Sequence, residues 1–269
     1  MNIVFVAGLP RSGTTMVQNI LDSHSEIFGG PEFDRIPNII DLRRKLLNSV
    51  EKGRIDIYLS HKRVDENVSA FINDCLLNVQ TNKKLKFVSE KTPWNILVFK
   101  DLIELFPASK FIHVLRNPLD VFESMKKVSE RARAKNVIPP DFTQDVNVAI
   151  SYMLTVYNTM NRLESDFFRN VMTVKYEDIL SNLEGQTKRI CDFLNVPWEP
   201  GLLKFNSLEH PGESTMIGAG VWYSKEMFRQ NPQMRTKQEK LMSNIEENLI
   251  RTVLHRHFYL TKHQYSIDL

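Results

Sequence analysis

The chain reads as an α/β protein, a three-layer sandwich in which a central parallel sheet is flanked by helices, and three observations predict it. Strand-like apolar runs recur at residues 3–7, 85–88, 110–115 and 171–174. Each is followed by a stretch in which apolar residues return at helical spacing. Strands that alternate with helices pair side by side in parallel through right-handed crossovers. With 269 residues, 42% of them hydrophobic, the chain can bury a full core. It is expected to form one domain over residues 1–269.

The first unit is the most informative. The run at 3–7 breaks into Gly8-Leu9-Pro10-Arg11-Ser12-Gly13-Thr14-Thr15, after which Met16, Val17, Ile20 and Leu21 mark a helix over 14–23. A glycine-bearing strand-to-helix junction binds anions, because the first helical N–H groups lack partners and the helix dipole adds partial positive charge. Gly8 and Gly13 stand in the frame of a nucleotide-binding P-loop, yet Thr14-Thr15 takes the place of its Lys-Ser/Thr. The lysine is missing, and Arg11 supplies a flat, two-pronged cation suited to a phosphate-like oxyanion without magnesium. The bland alternative for 8–15 is a glycine turn with a Ser/Thr helix cap.

Farther along, residues 27–32 form a glycine-proline segment that carries the chain across the top of the sheet before a helix at 36–50. A further helical stretch lies near 64–80. The strand at 85–88 runs into Ser89-Glu90-Lys91-Thr92-Pro93-Trp94, and Thr92 or Pro93 opens a helix through Phe106. The strand at 110–115 contains His113, read as a core or edge histidine, and Pro118 starts the next helix. The basic stretch 131–144, with Pro139-Pro140, has no periodicity and is expected to be a mobile loop able to cover an acceptor. A long helix over 145–168, the strand at 171–174 and a helix over 179–194 follow. Residues 206–233 are irregular, and a charged helical region closes the chain.

A formal net charge of +3 is too small for a general nucleic-acid binder, and no apolar run reaches the roughly 20 residues needed to span a bilayer. Cys75 and Cys191 sit in apolar helical contexts and are expected to be buried, reduced thiols. With the first strand starting at once after Met1-Asn2, the expected compartment is the cytoplasm. Arg35, Arg43 and the basic residues of 131–135 either greet an acidic acceptor or form solvated surface.

The block PRSGTT after a strand resembles the 5′-phosphosulfate loop of sulfotransferases that use 3′-phosphoadenosine 5′-phosphosulfate (PAPS). Arg116 and Ser124 within RNPLDVFES have the residue types and eight-residue spacing of that family's 3′-phosphate motif. VKYEDIL resembles the segment that lays a tyrosine, here Tyr176, against adenine. The glycine-rich stretch through Gly218, Gly220 and Lys225 looks like the late loop that closes on the nucleotide. The resemblance implies a P-loop-like fold, PAPS as cosubstrate with 3′-phosphoadenosine 5′-phosphate (PAP) as product, and no metal. It implies that Arg11, Ser12, Gly13, Thr14, Thr15, Arg116, Ser124, Tyr176 and Lys225 bind the nucleotide. Glu32 lies 21 residues beyond Arg11, a spacing similar to that of the protein-tyrosine sulfotransferases, where a glutamate acts as base. Lys91 in EKTPWN resembles the lysine that neutralises the bridging oxygen as PAP leaves, and Arg11 completes the catalytic set.

The bland readings stay open at this level. Glu32 caps a helix near Phe33, Lys91 and Lys225 are solvated lysines, and Tyr176 is a core aromatic. The acceptor is a peptide tyrosine, a carbohydrate or a small metabolite, and a homodimer is compatible with the sequence. The competing functions are a P-loop kinase using ATP and magnesium, and a catalytically inactive PAP-binding protein.

Overall fold

The computed structural model describes residues 1–79, 81, 83–214, 217, 220–223 and 240–267. Strand β1 (Asn2–Gly8) leads into helix α1 (Thr14–Asp22), short strand β2 (Ile27–Gly29), and helices α2 (Ile36–Glu51) and α3 (His61–Leu77). Strand β3 (Phe87–Lys91), a 3-10 turn (Pro93–Val98) and α4 (Phe99–Leu105) follow, then β4 (Lys110–Leu115), α5 (Pro118–Ala134) and a second 3-10 turn (Asp141–Thr143). The last part holds α6 (Val146–Asp166), β5 (Val171–Lys175), α7 (Tyr176–Ser181), α8 (Leu183–Leu194), a 3-10 segment (Pro200–Ser207), α9 (Asn244–Leu254) and α10 (Phe258–Lys262).

The described strands form one parallel sheet in the order β2-β3-β1-β4-β5, with β1 at its centre. Side chains alternate across a strand, and β1 uses both faces. Ile3, Phe5 and Ala7 pack against α2 to α6 and the C-terminal helices. Val4 and Val6 pack against α1, α7 and α8. This is the predicted three-layer arrangement, and it gathers the carboxyl ends of β1, β3 and β4 at one edge, where open α/β sheets carry their ligand sites.

Several expectations require correction. The third strand covers 87–91, not 85–88, so Ser89, Glu90 and Lys91 are strand residues rather than loop. The pairing Asn2↔Phe87 through Val6↔Lys91 decides this, and the polar side chains are tolerated because each has a partner. The segment at 27–32 contributes β2 as the edge strand. The stretch 131–144 is largely ordered, since α5 runs on to Ala134 and Ser129 Oγ bonds Thr143, which is fully buried. The helix after Pro93 begins as a 3-10 turn, and the one expected over 179–194 is divided at Asn182, whose side chain accepts from the Gly185 N–H and caps α8. Cys191 is buried, but Cys75 is exposed on α3. No helix among the described residues is long and apolar enough to cross a membrane.

Candidate active site

The junction after β1 is shaped by two left-handed residues, Arg11 with φ of 77° and Gly13 with φ of 103°. Gly13 is required twice over, because that φ suits glycine and a Cβ there would run into the Tyr176 ring. Ser12 N–H donates back to the Leu9 carbonyl at 3.0 Å, which closes the turn. No side chain caps α1, and while Met16 N–H donates to the Gly13 carbonyl at 3.0 Å, the N–H groups of Thr14 and Thr15 ahead of it have no intrahelical acceptor. Gly13, Thr14 and Thr15 line a cavity of about 270 Å³, together with Arg11, Glu32, Arg116, Ser124, Tyr176, Trp222 and Tyr223.

The two widely separated arginines meet at this loop. Arg116, just past β4, donates through Nη1 to the Arg11 carbonyl at 3.1 Å and lies 4.5 Å over the Tyr176 ring. The Arg11 side chain turns toward α5, donating from Nε to Ser124 Oγ at 3.2 Å and from Nη1 to the Trp222 carbonyl at 2.8 Å. Arg116 and Ser124 therefore converge on the loop from two elements, as a shared anion site requires. Among the described residues, the buried Ser12 Oγ and Arg116 Nε find no hydrogen-bond partner. Orphaned donors beside an uncapped helix end are a ready anion cradle.

Lys91 ends β3 behind Glu32 and Thr15, with its side chain 1% exposed. Its Nζ donates to Thr15 Oγ1 at 3.3 Å, to Tyr223 Oη at 3.0 Å and, in a very short contact, to Glu32 Oε1. Burial alone would lower its pKa, but Tyr223 and Glu32 outweigh that and raise it, so the ammonium stays charged. Tyr223 in turn donates to Glu32 Oε1. Burial raises the pKa of that phenol. Glu32 caps no helix, since α2 begins only at Ile36 after Arg35.

Glu32 is held by its neighbours in the chain. Glu90, fully buried inside β3, accepts from Phe33 N–H at 3.2 Å, from Thr92 Oγ1 at 2.6 Å and from Asn95 Nδ2. Thr92 Oγ1 accepts from Asp34 N–H at 3.2 Å. On the other side Gln18 donates to the Gly30 carbonyl at 3.0 Å and Asp22 accepts from Gly29 N–H at 2.9 Å. The strap from 29 to 34 is thus stitched to β3 and α1. Burial pushes the Glu90 carboxyl up to about 7, against the hydrogen bonds from Thr92 and Phe33.

A model of the sulfotransferase family matches residues 3–200, most of the chain. The chain belongs to the sulfotransferase family. It is 28% identical over 210 residues to protein-tyrosine sulfotransferase A of Caenorhabditis elegans, covering 76% of this chain and 53% of that protein. It is 26% identical over 206 residues to a Drosophila melanogaster protein-tyrosine sulfotransferase, covering 76% and 40%. The chain thus spans about half the length, or less, of these relatives. Among solved structures it resembles the sulfotransferase domain of the curacin biosynthetic pathway, with a TM-score of 0.59 at 16% identity and 98% coverage of both chains. That of the Synechococcus PCC 7002 olefin synthase gives 0.50 at 18% identity and 94% coverage of both. At such identities the likeness concerns the fold, and it agrees with the observed parallel α/β sandwich.

Within this sulfotransferase fold, Arg11, Ser12, Gly13, Thr14, Thr15, Arg116, Ser124 and Tyr176 come together around one loop, and Glu32 and Lys91 face them. Lys225 lies outside the described residues. Arg43 neither greets an acceptor nor sits in solvent: it is buried between Asp65 at 2.7 Å and Asp101 at 2.9 Å, tying α2 to α3 and α4. Arg131 and Lys135 donate to the carbonyls of Val221 and Gly220, so they hold the late loop. His24, just past α1, bonds the Pro197 carbonyl at 2.7 Å. Sequence reasoning missed Glu90, whose burial inside a strand had no local signal. It also missed Trp222 and Tyr223, although two aromatics inside a glycine-rich loop were the available hint.

Proposed function

We propose that the chain moves the sulfuryl group of PAPS to a hydroxyl or amine acceptor, with Glu32 as base. The observation that carries the reading is the meeting of Arg11, Arg116, Ser124 and Tyr176 at an uncapped helix end, with Glu32 lining the same cavity and ion-paired to the buried Lys91. The residues fit the nucleotide: two buried donors without partners among the described residues, Ser12 Oγ in the loop and Arg116 Nε beside it, are available to it. Ser12 to Thr15, Arg11, Arg116 and Ser124 would hold its phosphate and sulfonate oxygens, and Tyr176 offers an aromatic face for the base. PAPS, when bound, supplies an activated sulfuryl group and a phosphate leaving group. Glu32 takes the acceptor's proton. Lys91, touching Thr15 at the end of the loop, keeps a positive charge where negative charge grows on the leaving oxygen.

The names of the relatives make a peptide tyrosine the first acceptor to try, with carbohydrate and small hydroxyl compounds next. An aromatic wall supports a flat acceptor: Trp94 stacks on Tyr152 at 4.9 Å, and Phe142 stacks on Trp222 at 6.0 Å. The test is calorimetric titration of PAP in EDTA beside ATP with magnesium. Metal-free PAP binding, weakened about a hundredfold or more in Arg116→Ala, is expected, because that change deletes charge-assisted contacts worth roughly 1.5–3 kcal/mol each. Binding of ATP only with magnesium, and none of PAP, would overturn the reading in favour of a kinase.

A further inference from the structure

Tyr223 is tied to both groups that face the phosphate loop. Its hydroxyl accepts from Lys91 Nζ at 3.0 Å and donates to Glu32 Oε1, and the ammonium lies 5.2 Å from the centre of its ring. Lys91 donates to that same Oε1. One carboxylate oxygen therefore takes two donors, while Oε2 takes none from any described residue. The Glu32 side chain is 23% exposed and lines the cavity.

A carboxylate base works best when one oxygen is held and the other is presented to the proton. Lysine alone defines that orientation poorly, since an ammonium is a compact charge with three rotatable donors. A phenol hydroxyl fixed through its ring is directional. The geometry points to Tyr223 as a positioning residue: with Lys91 it pins Glu32 Oε1 so that Oε2 is the oxygen offered to the acceptor. The inference rests on the sulfuryl-transfer reading above. On this account the late loop brings the group that aligns the base.

The first test needs no ligand. Nitrogen-15 NMR of the lysine side chains should show the Lys91 ammonium as a slowly exchanging signal, assigned by its loss in Lys91→Arg, that broadens or moves in Tyr223→Phe. An unchanged signal would overturn the contact. The second test uses water as the acceptor, following PAP formation from PAPS in wild type, Glu32→Gln, Tyr223→Phe and the double variant. Tyr223→Phe should lower kcat about tenfold, with KM for PAPS and the Kd of PAP within about twofold. Because Tyr223 acts through Glu32, the double variant should be no slower than Glu32→Gln alone. Additive losses, or a Tyr223→Phe loss that falls on PAP affinity instead of kcat, would overturn the proposal. A wild-type chain that binds no PAP would sink the sulfuryl-transfer reading and the positioning role with it.

Discussion

Glu90 makes stability depend on pH in a direction opposite to that of most carboxylates. It is fully buried, and burial raises its pKa from about 4.5 to about 7. Between these values the unfolded chain has lost the proton and the folded chain keeps it, so folding stability falls as pH rises through this window and the loss is complete above 7. At about 1.4 kcal/mol per pH unit, the span is worth about 3 kcal/mol. Glu90→Gln removes the titration while keeping the acceptor for Phe33 N–H and Thr92. The new amide N–H₂ would oppose Asn95 Nδ2, but Asn95 Oδ1 is buried without a partner, so a flip of that amide restores the pairing. Urea denaturation of both proteins at pH 5 and pH 8 isolates the effect, because every other titrating group cancels in the difference. Wild type should lose about 2.5 kcal/mol more than Glu90→Gln across that interval, which begins just above the unfolded pKa. Parallel losses in the two proteins would refute a buried, proton-holding Glu90.

Three further outcomes follow from the geometry. Gly13→Ala should destabilise by roughly 2 kcal/mol or more in the same urea assay and abolish PAP binding, since a φ of 103° disfavours any side chain and the Tyr176 ring occupies the space of its Cβ. A thiol reagent should modify one cysteine quickly in the folded protein, and Cys75→Ser should remove that phase. Cys191, 3% exposed and with its thiol pushed up to about 11 by burial, should react only on unfolding. Arg43→Met should cost stability without changing PAP affinity, because it takes the buried cation from between Asp65 and Asp101, leaving Asp101 to Arg44 alone, and none of these residues lines the cavity; calorimetry and denaturation on one sample separate the two.

Much of this architecture was written in local patterns. The run 3–7, the glycine spacing and the helical return of Met16, Val17 and Ile20 specify β1, the loop and α1 by contacts between near neighbours. The Arg116 to Ser124 spacing was legible for the same reason, since a strand end and the helix after it keep their relation through a short turn. The boundaries that failed were those settled by distant partners. Residues 89–91 look like loop because they are polar, and they are strand because β1 supplies the ladder and Gln18, Thr92, Glu32 and Tyr223 supply their side-chain bonds. Arg131 looks like a free cation in a mobile stretch, yet it holds the Val221 carbonyl 90 residues away.

The sequence by itself determined which residues could form an anion loop and which charges could serve it, because strand, turn and helix follow from side chains a few positions apart. Only the tertiary structure decided that Glu32, Lys91 and Tyr223 share one oxygen, since residues separated by 59 and 191 positions meet only in the folded chain. Their partnership is an outcome of packing, and no local pattern encodes it.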